Sequence, residues 1–168
     1  GAPIENMFGY TFYGCKGLTG SIPEKLFAGI SGAPAKYMFQ FTFSGCSGLT
    51  GEIPLGLFGN LSGAPASSMF NYTFYNCKGL KSVVFPEGVT YIGGKCTIEY
   101  GEVPNGAFEG CINLKEIVFP ESVVSIGDLA FANCTSLLRI ILPKQLKEIA
   151  NGSFYNCTSL SEISIPKT

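Results

Sequence analysis

Six times along this chain a phenylalanine is followed three positions later by a cysteine, and three positions after that by a leucine. The instances are Phe12/Cys15/Leu18, Phe43/Cys46/Leu49, Phe74/Cys77/Leu80, Phe108/Cys111/Leu114, Phe131/Cys134/Leu137 and Phe154/Cys157/Leu160. Successive cysteines are 31, 31, 34, 23 and 23 residues apart. A period in the twenties to thirties means small units that cannot bury their apolar face alone and must stack on one another.

After each leucine comes a short run ending in proline. In the C-terminal half these runs read "LKSVVFP", "LKEIVFP", "LLRIILP" and "LSEISIP". Their β-branched content and alternation predict strands. Pro86, Pro120, Pro143 and Pro166 end them, because proline cannot donate to a ladder. The alternation points Leu114, Ile117 and Phe119 inward, and Lys115, Glu116 and Val118 outward. Such strands stack about 4.8 Å apart as a parallel sheet. The rest of a short unit, such as "ESVVSIGDLAFANC", is too broken for a full helix. It predicts a second short extended piece and a single helical turn, with Val124, Ile126, Ala130 and Phe131 facing in.

The first complete units are longer and carry "EKLFAGISGAPAKYMFQFTF" and "LGLFGNLSGAPASSMFNYTF" between proline and cysteine. The strand and cysteine phases survive the insertion, so it belongs on the side away from the sheet. Its aromatic slots repeat as Phe8/Phe39/Phe70, Tyr10/Phe41/Tyr72 and Phe12/Phe43/Phe74. Spacing of two suits a strand and spacing of four suits a helix, so the sequence leaves both open. These rings read as core filling, with stacking on sugars as the alternative; Tyr13 and Tyr75 are then the exposed members.

Composition removes several function classes. Apolar residues are 46% of the 168, charged residues 14%, and the net charge is −1. Most of the length must therefore be buried, and there is no electrostatic case for nucleic acid. No apolar run approaches the roughly 18 residues of a membrane helix. There is no histidine, and Asp128 is the only aspartate, so the commonest general base and metal ligand are missing. No nucleophile–base constellation or clustered metal-ligand spacing appears. The chain reads as a non-enzyme without metal or cofactor. Glu99, Glu102 and Cys96 gather in the loop 93–104, but glutamates three apart more often form a solvated face than an acid/base pair.

The joined pattern L-x-x-I-x-I-P and I-G-x-x-A-F-x-x-C-x-x-L resembles the BspA-like leucine-rich repeat. "LKEIVFPESVVSIGDLAFANCTSL" fits it along its whole length, whereas "LTGSIP" and "LTGEIP" look more like the plant-type segment. The resemblance implies a fold of the α/β class, rich in β: a right-handed leucine-rich-repeat solenoid with a parallel concave sheet and an irregular convex side. It implies a bacterial or protist surface or secreted protein, associated with adhesion. One departure is the proline after the strand, where the ordinary repeat has an asparagine or cysteine that satisfies backbone groups. The turn "NCTS" (Asn133–Ser136, Asn156–Ser159) could take over that capping.

On this reading Cys15, Cys46, Cys77, Cys111, Cys134 and Cys157 form a structural column of buried free thiols, each packing as a small hydrophobe. A serine at 134 would then place a hydroxyl in an apolar column, at a cost of roughly 1–3 kcal/mol. The outward slots carry Val84, Val118 and Ile141 in line, ending at Ser164. Lys81, Lys115 and Leu138 flank them on one side, with Ser82, Glu116 and Arg139 on the other. An apolar strip with a polar rim suits protein contact. In the first units the matching slots are read as Thr19, Gly20, Thr50 and Gly51, which offer little grip.

The sequence therefore predicts one domain over 1–168, with long repeats in 1–80, an inserted loop in 81–114 and short repeats in 115–168. It reads as an excised part of a longer extracellular or cell-surface protein. The expected contact face is Lys81, Val84, Lys115, Glu116, Val118, Arg139 and Ile141, for a protein partner or, as the alternative, a glycan. The competing reading is a spacer segment with no ligand of its own.

Overall fold

The computed structural model describes residues 2–58, 60–61, 68–85, 87–93 and 106–165. Among them the chain is β-rich, built from short parallel strands and turns. One 3-10 turn spans Leu55–Phe58, and there is no α-helix. The helical part of the expected fold class, and the helical turn expected in the short units, are thus replaced by β-turns.

The run after each leucine supplies β2 (Gly51–Ile53), β4 (Leu80–Val84), β6 (Glu116–Val118), β8 (Arg139–Ile141) and β10 (Glu162–Ser164). The second extended piece of each unit supplies β1 (Ser31–Gly32), β3 (Asn60–Leu61), β5 (Tyr91–Ile92), β7 (Ser125–Ile126) and β9 (Glu148–Ile149). The named pairings are all parallel and join counterpart strands of successive units: β2–β4–β6, β8–β10, β5–β7–β9 and β1–β3. Strands this short pair only because identical phases bring equal residues side by side. Val84 lies opposite Val118, and Ser164 opposite Ile141.

The β2–β4 pair contains a register shift between Gly51 and Glu52. The reason is a length difference. Leu49 to Pro54 is one residue shorter than Leu80 to Pro86, so β4 holds an extra residue against β2. As a result Glu52, not Gly51, faces Ser82, which corrects the slot expected for the second unit.

The core is a set of vertical columns. Phe12, Phe43, Phe74, Phe108, Phe131 and Phe154 stack ring on ring at 5.2, 5.4, 5.1, 5.2 and 5.6 Å, with planes within 17°. The column runs without interruption from long units into short ones. Leu80, Leu114, Leu137, Ile92, Ile126, Ile117 and Ile140 are buried beside it. Inward-facing side chains follow the strand alternation, except that Val123 is fully buried and Val124 only partly; the expected inward residue is displaced by one position.

The aromatic part of the long insertion, residues 6–14, 37–45 and 68–76, is neither strand nor helix. It is a tower of consecutive turns with a left-handed residue every fourth position: Asn6, Tyr10, Gly14, then Tyr37, Phe41, Gly45, then Ser68, Tyr72, Asn76. Alternate N–H groups bond inside the turn, as Gly9 to the Asn6 carbonyl (2.9 Å) and Tyr13 to that of Tyr10 (3.0 Å). The others donate to the next unit: Phe8 to Met38 (2.9 Å), Tyr10 to Gln40 (2.9 Å), Phe12 to Thr42 (2.8 Å) and Gly14 to Ser44 (2.8 Å). Both sequence periodicities, two and four, are therefore present at once. The position before each cysteine is left-handed in all six units (Gly14, Gly45, Asn76, Gly110, Asn133, Asn156). Glycine and asparagine are the residues that adopt this conformation most readily.

Candidate functional site

The outward face of β4, β6 and β8 gathers the seven residues singled out for contact. Lys81, Lys115, Glu116 and Arg139 are exposed and Val84 is half-buried. Val118 is 45% and Ile141 62% exposed, and Leu138 adds another exposed apolar side chain. Ladder register places Val84 beside Val118 and Ser82 beside Glu116. The main-chain N–H of Lys115 donates to the carbonyl of Lys81 at 2.8 Å, so the two lysines follow one another across the units. Arg139 reaches Glu116 at 3.9 Å, an exposed pair that contributes little to stability.

The face is not uniformly laced. β6 pairs with β4, and β8 with β10, but no ladder joins β6 to β8. Across this seam Ser136 N–H donates to the Ile112 carbonyl (3.2 Å) and Leu138 N–H to that of Lys115 (3.5 Å). Beyond them the strands part. A cleft of about 150 Å³ opens there, walled by Val118, Phe119, Ile141, Leu142 and Pro143. It meets a shallow depression of about 410 Å³ bordered by Lys115, Leu138, Ser161 and Glu162, with Glu116 and Arg139 shared between the two.

The six repeat cysteines are free thiols. Cys46, Cys77, Cys111 and Cys134 are buried, Cys157 is half-buried, and Cys15 is exposed at the N-terminal end. Each of the five after Cys15 donates its thiol to the main-chain carbonyl of the phenylalanine one unit back. Cys46 reaches Phe12 (3.0 Å), Cys77 Phe43 (3.0 Å), Cys111 Phe74 (3.1 Å), Cys134 Phe108 (3.3 Å) and Cys157 Phe131 (3.2 Å). The same carbonyls also accept the N–H of the cysteine in their own unit. Thr42 and Thr73 do likewise at the slot beside the column, donating to Phe8 (2.8 Å) and Phe39 (2.9 Å). The cysteine slot therefore takes a small donor, not only a small hydrophobe. Burial pushes the thiols of Cys77, Cys111 and Cys134 well above the usual cysteine range, and neighbouring cysteines add to the rise. Thiols held neutral in this way are poor nucleophiles and poor metal ligands.

The asparagine turns contribute a smaller ladder. Asn156 donates from Nδ2 to Oδ1 of Asn133 at 2.9 Å, and Asn113 from Nδ2 to the Lys78 carbonyl at 2.8 Å.

The aromatic tower spends its ring faces on itself. Phe41 is sandwiched between Tyr10 (4.7 Å) and Tyr72 (4.1 Å), with Tyr13 edge-on at 5.9 Å. Tyr13 and Tyr10 are exposed, whereas Tyr75 is half-buried against Tyr72. Cys96, Glu99 and Glu102 lie outside the described residues, as do Pro86 and Pro166. Among the described residues no three Cys, Asp or Glu side chains converge as a metal-ligand set.

The sequence model of the BspA type leucine rich repeat region matches residues 67–168, in six copies. The chain belongs to the BspA-type leucine-rich-repeat family. A leucine rich cell surface protein from Faecalibacterium prausnitzii superposes on 92% of this chain and 35% of its own length, at 26% identity and a TM-score of 0.61. A leucine-rich repeat protein from Bacteroides ovatus superposes on 89% of this chain and 32% of its own, at 31% identity and a TM-score of 0.54. This BspA-type chain thus spans about a third of the length of these solved relatives. No curated protein matches it by sequence. No helix among the described residues is long and apolar enough to cross a membrane.

Proposed function

We propose that this BspA-type chain is a non-catalytic recognition module of a cell-surface or secreted protein. Its 168 residues form one right-handed solenoid domain with the strand face on the concave side. That face, centred on Lys81, Val84, Lys115, Glu116, Val118, Arg139 and Ile141, binds a protein partner by broad preformed contact without chemistry. The single observation behind this is that half-buried Val84 lies in register with exposed Val118, with exposed Ile141 on the next unit, all flanked by charge. An apolar strip with a polar rim is the anatomy of a protein interface. Leucine-rich-repeat domains generally mediate protein interactions, and one relative is named as a cell surface protein. A glycan partner is less favoured, because the aromatic tower offers few free ring faces for stacking.

The test is capture of extracellular-matrix and serum proteins on the immobilised chain. Replacing Val118 and Ile141 together by aspartate should abolish capture while leaving the circular dichroism spectrum unchanged. Capture that survives the double substitution would overturn the concave-face reading and favour a spacer role.

A further inference from the structure

We infer that the seam between β6 and β8 is the anchoring point of this face. Its cleft takes one bulky apolar side chain from an extended partner segment, and an acidic residue of that segment faces Lys115. The inference rests on the strand-face reading above and adds the chemistry of the partner.

The cleft has a cause in the sequence. Going up the units, the residue before each proline is Phe85, Phe119, Leu142 and Ile165. Phe85 and Phe119 stack at 6.3 Å with planes 3° apart, and Phe119 meets Phe131 edge-on at 5.8 Å. At the next step the ring is replaced by the smaller Leu142. The stack ends, and the space it would have occupied opens to the outside between Val118 and Ile141. The volume, about 150 Å³, is the size of cavity that accepts a benzene ring. One phenylalanine or leucine side chain would fill it.

The edges of the seam supply the second element. Between Glu116–Val118 and Arg139–Ile141 the two strands make no ladder to one another. Their facing main-chain groups border the cleft. An extended peptide is the ligand class that presents N–H and C=O groups at strand spacing together with a side chain. At the far end Glu121 closes the seam by accepting the Lys144 N–H at 3.0 Å.

Charge sets the direction. Arg139 is already neutralised by Glu116. No ion pair for Lys81 or Lys115 is found among the described residues. Glu162 borders the depression from the side away from these lysines. Glu52 lies opposite Ser82, next to Lys81, so the positive flank of the cleft is carried by Lys115, which borders the adjoining depression. Lys115 and Val118 are three strand residues apart, about 10 Å, so the acidic residue precedes the anchor by about three positions in an extended segment.

The experiment is a two-dimensional NMR titration of the ¹⁵N-labelled chain with the peptide acetyl-Glu-Gly-Ser-Phe-amide. Two control peptides replace its Phe by Ala or its Glu by Lys. The first peptide should shift the amides of Ile117, Val118, Ile140 and Ile141 saturably. The Ala control should bind at least tenfold more weakly, and the Lys control more weakly than the Glu peptide. Ile141→Trp, on an exposed position, should fill the cleft and remove binding. Lys115→Glu should reverse the preference between the Glu and Lys peptides. Equal binding of the Ala control, saturable shifts confined to another surface, or no saturable shift would overturn the anchor. So would shifts of these same amides on adding an unlabelled copy of the chain, which would assign the seam to self-association. Val84→Asp separates the two readings, because Val84 is on the strip but outside the cleft. Protein capture lost in Val84→Asp but kept in Ile141→Trp leaves the face standing and removes the anchor. Peptide binding at the seam, with capture indifferent to Val84→Asp and to Val118→Asp with Ile141→Asp, does the reverse.

Discussion

The thiol of Cys111 lies 3.1 Å from the main-chain carbonyl oxygen of Phe74, one unit earlier and 37 positions away in sequence. The same bond recurs at Cys134 and Phe108, at 3.3 Å. A packing column thus doubles as a line of donors, each giving a buried carbonyl its second hydrogen bond.

Serine at these positions therefore has an acceptor waiting, and the cost expected from an unpartnered hydroxyl does not apply in full. Cys111→Ser should lose about 1 kcal/mol or less, chiefly from the smaller side chain. Cys111→Ala should lose about 2 kcal/mol, because it removes the donor and leaves a void. Urea unfolding followed by circular dichroism gives both values. Serine no better than alanine would mean that the thiol bond contributes nothing.

The same burial makes stability depend on alkaline pH. Cys77, Cys111 and Cys134 have folded pKa values raised above the unfolded value of about 8.5. Below that pH both states keep the proton and the thiols add no slope. Above it the unfolded chain releases protons that the folded chain retains, so stability falls as pH rises. Each thiol contributes up to about 1.4 kcal/mol per pH unit. Unfolding midpoints measured under reducing conditions should be flat in this respect up to about pH 8 and then decline. Replacing Cys111 by serine should make the decline shallower, and an unchanged slope would contradict the assignment.

Gly79 sits at a close approach between units, just before β4. A Cβ there would overlap the Leu49 carbonyl oxygen of the preceding unit, whereas at Gly17, its counterpart in the first unit, it would meet nothing within 4 Å. Gly79→Ala should therefore destabilise by about 1–3 kcal/mol, and Gly17→Ala should change stability by less than about 0.5 kcal/mol. Comparable thermal midpoints for the two variants would show that the backbone yields more easily than its packing implies.

Phe108 is the link between long and short units. It is fully buried between Phe74 at 5.1 Å and Phe131 at 5.2 Å, with Phe85 edge-on at 5.6 Å. Phe108→Ala should cost about 3–5 kcal/mol. Because contacts run only between neighbouring units, it should also uncouple the two halves. Hydrogen exchange should then show residues around Phe43 and Phe131 opening independently, where the unaltered chain opens both together.

Within the candidate face, the alternation of "EIVF" is enough to place Glu116 and Val118 outward, because side chains of a strand change sides at every residue; Lys115 is exposed because it precedes the strand. Equal phases in "LKSVVFP" and "LKEIVFP" align Val84 with Val118. The seam beside them is not legible, since no motif marks a missing ladder. The change from Phe119 to Leu142 is the only trace, and its effect depends on how far apart two units settle.

The repeated letters alone determined that the chain would stack, which side chains would form columns, and that residues flanking each cysteine would turn. Identity at a fixed period forces equal neighbours together whatever the detailed path. The tertiary structure alone decided that each thiol meets a carbonyl, that the aromatic part of the insertion coils as turns and that β6 parts from β8. Those outcomes depend on distances between atoms 23 to 37 residues apart and on backbone torsions. A one-dimensional pattern constrains neither.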